Sequence, residues 1–203
     1  QEYSSFATEV NLSRKLYDRI ALIDQANLTD SEKLMLDRRL KDFKKSGVDK
    51  SVEIRERVKT LNLEITEIGN SFDQAIREDT RFVETTIEKL AGLPGDYIAA
   101  KKADENGIIR VSTDYPDYFP VMQYAHDDNL RKELYIASKS IGSPSNSQNL
   151  LNLIKKRHEL ANLLGYENYA ALAMDGLMIK SPDRANVFLN DLGQAVKKAA
   201  KKD

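Results

Sequence analysis

Cysteine is absent from this chain. That removes disulfides, thiolate nucleophiles and cysteine-ligated metals, and leaves the redox compartment open. Glycine and proline are scarce, 9 and 5 among 203 residues, while 41% of the chain is hydrophobic and 31% charged. Such a composition describes a soluble, helix-rich globular protein rather than a disordered one. Neither sign of charge dominates, with 31 basic against 32 acidic residues, so no overall field draws nucleic acid or anionic lipid. No apolar run approaches the roughly 20 residues that span a bilayer, and no signal-like segment opens the chain. Neither nucleic acid nor a membrane is therefore expected as a partner.

Histidine occurs only twice, as His126 and His158. His158 opens the stretch "RHELANLLG", which begins like the H-E-x-x-H of a zinc peptidase helix but carries Asn162 in the fifth position. Two histidines four residues apart share a helical face and can hold zinc; one cannot. Neither histidine has a glutamate three residues before it, as the di-iron sites of helical bundles require. Both are read as structural. Asp127-Asp128 falls before a helix, where Asp128 or Asn129 is expected to cap and the acids to complement the dipole. Phosphate-binding glycine loops and nucleophile elbows have no match. The lysine pairs Lys44-Lys45, Lys101-Lys102, Lys155-Lys156, Lys197-Lys198 and Lys201-Lys202 are dispersed and lack interleaved aromatics, unlike a nucleic-acid surface.

What is present is helical periodicity. Leu12, Leu16, Ile20 and Ile23 predict a first amphipathic helix. Thr29 and Glu32 predict a capping box, with Leu36, Leu40 and Phe43 as the stripe and Gly47 as the stop. Ile54, Val58, Leu61, Ile65, Ile68, Phe72 and Ile76 step along one face and predict one long helix over 51–78. Its charges, among them Arg57, Lys59 and Glu64, are expected to be solvated or paired within the helix. "RFVETT" alternates like a strand, Thr85 and Glu88 are read as capping a brief helix that ends at Gly92, and Pro94 stands near another start. Residues 108–114 follow the Asn106-Gly107 turn as a strand that pairs around 82–85. Helices are expected over 120–126, 128–140, 147–164 and 167–178. A last one opens at Ser181-Pro182-Asp183. Tyr115, Tyr118, Phe119 and Tyr124 are read as packing the ribbon against helices. The fold class is thus mainly α: a multi-helix bundle of antiparallel helices with a small two- or three-stranded β ribbon. The chain is divided into 1–79 (helical hairpin and long helix), 80–127 (short helices and ribbon) and 128–203 (a further helical segment).

Several stretches together carry a family likeness: "EDTRFVETTIEKLAGLPGDYI", "GIIRVSTDYPDYFPVMQYAHDDNLRKELYIA" and "RHELANLLGYENYAALAMDGLMIKSP". In this order they resemble the N-terminal half of the thimet oligopeptidase, neurolysin and oligopeptidase A family of zinc metallopeptidases, from about Leu28 to Leu192. The resemblance implies that His158 and Glu159 belong to a structural helix, and that an HExxH helix with a further Glu ligand lies downstream. It therefore assigns no catalytic and no metal position here. Zinc is implied for the intact parent, and no cofactor is expected within these residues. The chain opens at Gln1 without Met and closes on "VKKAAKKD" in mid-helical pattern, so both ends are read as cut.

The implied role is a non-catalytic wall of a deep channel that admits short peptides. Tyr115, Tyr118 and Phe119 are the substrate-channel candidates. The implied partners are short peptides and the C-terminal catalytic region of the same chain. A cytoplasmic location is expected, with periplasm and export left open. A second reading, of a different class, is a helical scaffold that binds a partner helix or peptide in a groove without enzymatic activity.

Overall fold

A computed structural model describes residues 2–201 of the chain. Gln1, Lys202 and Asp203 lie outside the described residues, as does the side chain of Lys198, so the lysine pairs at 197–198 and 201–202 are described only in part. The chain begins with α1 (Glu2–Asn11), an element for which the sequence pattern offered no reading, and α2 (Arg14–Ala21). The single helix expected through Leu12 and Ile23 is therefore corrected to two. Ser13 is extended and its hydroxyl accepts from Leu16 N–H at 3.3 Å, which caps α2 and leaves Leu12 between the helices.

The helix α3 (Asp30–Lys45) starts with the expected capping box, in which Glu32 accepts from Thr29 N–H at 2.8 Å while Thr29 Oγ1 faces Glu32 N–H at 3.4 Å. It stops at Gly47, whose φ of +93° favours glycine and whose missing Cβ would sit 2.7 Å from the Leu164 side chain. The heptad-like stretch becomes α4 (Val52–Glu78).

Next comes β1 (Phe82–Thr85), followed by a 3-10 turn over Ile87–Leu90. Thr85 is not the cap of that turn: alternation points it inward as the last residue of the strand, 3% exposed, and Thr86 takes the cap position. After α5 (Gly95–Ala100), β2 (Ile109–Ser112) pairs antiparallel with β1, Phe82 opposite Ser112 and Thr85 opposite Ile109. The helix α6 (Tyr115–Tyr124) begins five residues before the expected 120, because Asp114 takes the cap position and Pro116 fits the first turn. In α7 (Asp128–Lys139) the cap is Asp127, whose carboxylate accepts from Leu130 N–H at 2.7 Å, rather than Asp128 or Asn129. The remaining helices are α8 (Ser145–Leu164), α9 (Tyr169–Met174) and α10 (Pro182–Ala200). The α9 helix is shorter than the expected 167–178, since Asn168 caps it by accepting from Ala171 N–H at 2.9 Å. Ser181 and Pro182 open α10 as the sequence indicated.

Among the described residues this amounts to ten α-helices and one two-stranded sheet, a mainly α fold with a small ribbon. The chain forms two compact units, one of residues 1–68 and 151–203 and the other of 69–150. The first has its core at Val58, Leu61, Leu160, Ala161 and Leu172. The second buries β1 and β2 residues (Val83, Ile109, Val111) with Val121 of α6 and Leu130 and Leu134 of α7.

Within the first unit the charges of α4 do more than wet a surface. Arg57 Nε donates to Glu159 Oε1 of α8 at 2.8 Å, Lys156 of α8 pairs with Glu64 at 2.8 Å, and Lys59 pairs with Glu9 of α1 at 2.9 Å. The expected pairing within one helix is corrected to pairing between helices.

Candidate substrate-facing groove

The sequence candidates Tyr115, Tyr118 and Phe119 lie on the first turns of α6 in the second unit. What holds that turn is Asp117, which sequence reasoning missed. Its carboxylate accepts from Ser112 N–H and Ser112 Oγ at 2.8 Å each, from Tyr97 Oη at 2.9 Å, and from the Lys101 ammonium. One side chain thereby ties α5, β2 and α6 together. Burial works to raise the Asp117 carboxyl, but the hydrogen bonds from Lys101, Ser112 and Tyr97 outweigh it and hold the group below the usual carboxylate range. Burial first, and then the facing carboxylate, push the Tyr97 phenol well above its ordinary value. The only sequence signal of this hub was an acid in a helix's first turn, a pattern that ordinarily reads as dipole complement.

With the turn fixed, the aromatic rings stack outward. Tyr118 packs against the unit's core. Phe119 meets Tyr118 edge-on, 5.6 Å between centroids at 80°, and Tyr115 lies 5.3 Å from Phe119. Tyr115 remains 77% exposed and Phe119 56% exposed, so of the cluster read as ribbon packing only Tyr118 packs the ribbon; Tyr124 is exposed as well. All three candidates line one groove of about 890 Å³, whose other wall holds Ile76, Lys139 and Ile141. Asp114, at one end of the aromatic face, accepts from Thr80 Oγ1 at 3.3 Å.

A second clasp supports the far wall. Arg81 Nε and Nη2 donate to Asp79 at 2.9–3.1 Å, Gly142 N–H donates to the same carboxylate at 2.7 Å, and Arg81 also donates to Ser143 O at 2.6 Å. Asn146 Nδ2 adds a bond to Phe72 O at 2.9 Å. The Arg81 guanidinium and the Gly142 amide keep the Asp79 carboxyl below its ordinary value. Such a surface offers rigid apolar rings flanked by Asp114 and Lys139, which suits a peptide lying along it. It carries no nucleophile–base pair.

The two histidines sit among structural partners. The His126 amide donates to Ala91 O at 2.9 Å, and its ring lies against Gly92, where a Cβ would fall 2.6 Å from His126 Cδ2 and 2.2 Å from Tyr124 O. His158 Nε2 lies 3.0 Å from the Asn162 amide. With that amide turned so that its nitrogen donates to the Tyr166 and Glu167 carbonyls, its oxygen accepts from His158 Nε2. Glu159 is taken by Arg57. Among the described residues no three His, Asp or Glu groups are arranged to hold a metal ion, so these residues do not fit a zinc centre. No helix is long and apolar enough to cross a membrane among them.

Comparison with known proteins gives these elements a context. Residues 121–203 match Peptidase family M3. Oligopeptidase A of Escherichia coli is 30% identical over 219 residues, an alignment that takes in 100% of this chain and 32% of the relative. Oligopeptidase A of Salmonella typhimurium is 30% identical over 194 residues, covering 88% and 28% respectively. Saccharolysin of Saccharomyces cerevisiae is 31% identical over 158 residues, covering 75% and 22%. The chain thus spans about a third or less of the length of the curated relatives it matches.

Proposed function

The chain is related to the M3 peptidases, and from that premise we propose that it forms the N-terminal, non-catalytic part of a zinc-dependent endo-oligopeptidase acting on short peptides. In this reading the aromatic groove is one wall of the substrate channel, and a catalytic region of the same polypeptide supplies zinc and chemistry. The segment 128–203 would lead toward that region. No step of hydrolysis is derived from the residues described, because none of them offers the donor set a zinc centre needs.

The observation that carries the proposal is the anchored aromatic face: Tyr115 and Phe119 are exposed on a turn that Asp117 holds rigid from beneath. A channel wall must keep its shape under a large ligand, and a surface on a braced helix does so better than one on a loop. The α10 helix lends support to a partner region, since it leaves Phe188, Leu189, Leu192 and Val196 about half exposed along its length. Exposed apolar stripes of this kind mark surfaces that another part of a protein covers.

The test uses the full-length parent enzyme and a quenched short peptide. Replacing Tyr115 and Phe119 together by alanine is expected to raise KM about tenfold with kcat retained, the signature of lost binding away from the reacting bond. An unchanged KM would remove the groove from the substrate path. A parent that hydrolyses no peptide with zinc bound would overturn the peptidase reading and favour the scaffold.

A further inference from the structure

A second cavity lies in the unit made of 1–68 and 151–203, and nothing said so far uses it. Its floor is core: Val58, Leu160 and Leu172, each 7% exposed or less, with Leu164 beside them. Its volume is about 450 Å³. Immediately next to it, α2 and α3 enclose a second chamber of about 460 Å³ lined by Leu16, Ile20, Ile23, Leu28 and Met35. The two chambers share three lining residues, Asn11, Arg39 and Asp42. The boundary between two apolar spaces is therefore polar, and it carries one full charge of each sign.

Arg39 and Asp42 stand one helical turn apart on α3, yet they do not form an ion pair, and among the described residues no hydrogen bond engages either side chain. Nearby charges are committed elsewhere. Lys45 Nζ donates to Asp175 O at 2.7 Å, and the Asp175 carboxylate takes Lys41 at 2.9 Å and Tyr166 Oη at 2.7 Å. The free cation and the free anion are left facing the junction. Residues three apart on a helix have Cβ atoms about 5–6 Å apart. An extended dipeptide spans about 7 Å at most from end to end, which matches that separation.

We propose that this bipartite cavity binds a dipeptide with two aliphatic side chains. Its α-carboxylate pairs with Arg39 and its ammonium with Asp42, and each side chain enters one chamber. The two apolar spaces require two apolar groups, and the opposite charges between them require a zwitterion. A fatty acid would set its lone carboxylate beside Asp42, and a single amino acid would fill only one chamber. Together the chambers fall in the range of roughly 300–1,000 Å³ usual for small-ligand sites. The inference does not depend on the peptidase reading, because it uses neither the groove nor any catalytic group.

The probe is L-leucyl-L-leucine, titrated into the 203-residue chain by calorimetry and by amide chemical-shift mapping. Saturable binding is expected, with shifts confined to α2, α3, α9 and the middle of α4. Arg39→Gln and Asp42→Asn are each expected to weaken it about tenfold, while Arg39→Lys retains most of the affinity. Acetyl-leucyl-leucinamide, which has the side chains without the charges, is expected not to bind. Met35→Glu places a charge in the apolar chamber and should abolish binding without unfolding an exposed position. Absence of saturable binding would overturn the proposal, as would equal affinity for the blocked peptide or indifference to both charge-removing substitutions. Failure here leaves the groove test above untouched, since that test reads hydrolysis by the parent.

Discussion

The two units of this protein are built from the same residue types and held by different means. In the 69–150 unit a two-stranded ribbon forces alternation, so Val83, Ile109 and Val111 all point to one side and meet Val121, Leu130 and Leu134 from the helices above. In the unit of 1–68 and 151–203 no strand organises the apolar side chains. Helices meet along stripes at Val58, Leu61, Leu160 and Leu172, and ion pairs from Arg57, Glu64 and Lys59 join them at the margins. Much of the apolar surface there stays exposed, including Leu22, Met35 and Phe188. A small sheet thus converges a core more effectively than its length suggests, because every second residue is committed inward. A set of helical stripes leaves cavities and unpaired faces, which is where a ligand site can form.

The strongest way to break this comparison is to empty each core in turn. Leu134→Ala, at a fully buried site, is expected to destabilise the ribbon unit by about 3–5 kcal/mol, whereas Leu172→Ala, beside an existing cavity, should cost about 2–3 kcal/mol. Urea unfolding followed by hydrogen exchange resolved along the chain measures both; equal losses would dissolve the distinction.

The next effect is electrostatic. Asp117→Ala strips the acceptor from Lys101, Tyr97 and Ser112 and is expected to cost about 2–3 kcal/mol, again within 69–150. The sign with pH follows from a folded pKa held below the unfolded one. The stabilisation is complete above the ordinary carboxylate value of 3.8 and fades as pH falls through the lower folded value. Exchange protection of β2 and α6 should therefore weaken on acidification in the native protein, and the slope should flatten in Asp117→Asn. A native slope as flat as the variant's would show that the clasp contributes nothing.

Smaller again is the cap of α10: Ser181→Ala should cost about 1 kcal/mol and fray the first turn of that helix, read by local exchange. The smallest effect is expected at Arg57. Its pairs with Glu159 and Glu64 are open to solvent, so Arg57→Gln should leave the urea midpoint unresolved from that of the native chain. A clear drop would mean that the helix-rich unit leans on its ion pairs more than on its core.

Local chemistry was legible wherever the signal and its partner lie within a few residues. The Thr29–Glu32 box, the run from Ile54 to Ile76, the Gly47 stop, the ribbon and the Ser181-Pro182 start all appear where the pattern set them. The misread boundaries have the same scale. Ser13 outcompeted the apolar spacing across it, Asp127 took the cap one residue before the expected one, and Asp114 with Pro116 opened α6 early. Of the candidate groove, the aromatic residues were visible and their bracing was not. Asp117 reads as one acid among 32 acidic residues until Tyr97, Lys101 and Ser112 surround it.

By itself the sequence determined the helical character, the ribbon and most of the punctuation, since apolar period and capping are short-range properties of the backbone. Its motifs also sufficed to place the chain among relatives of the M3 peptidases. Tertiary structure alone decided that residues 151–203 join 1–68 in one unit, that the α4 charges reach α8, and that Arg39 and Asp42 stand unpaired between two apolar chambers. Those outcomes depend on which surfaces meet after the chain folds back. Contact between residues a hundred positions apart leaves no periodic trace along the sequence.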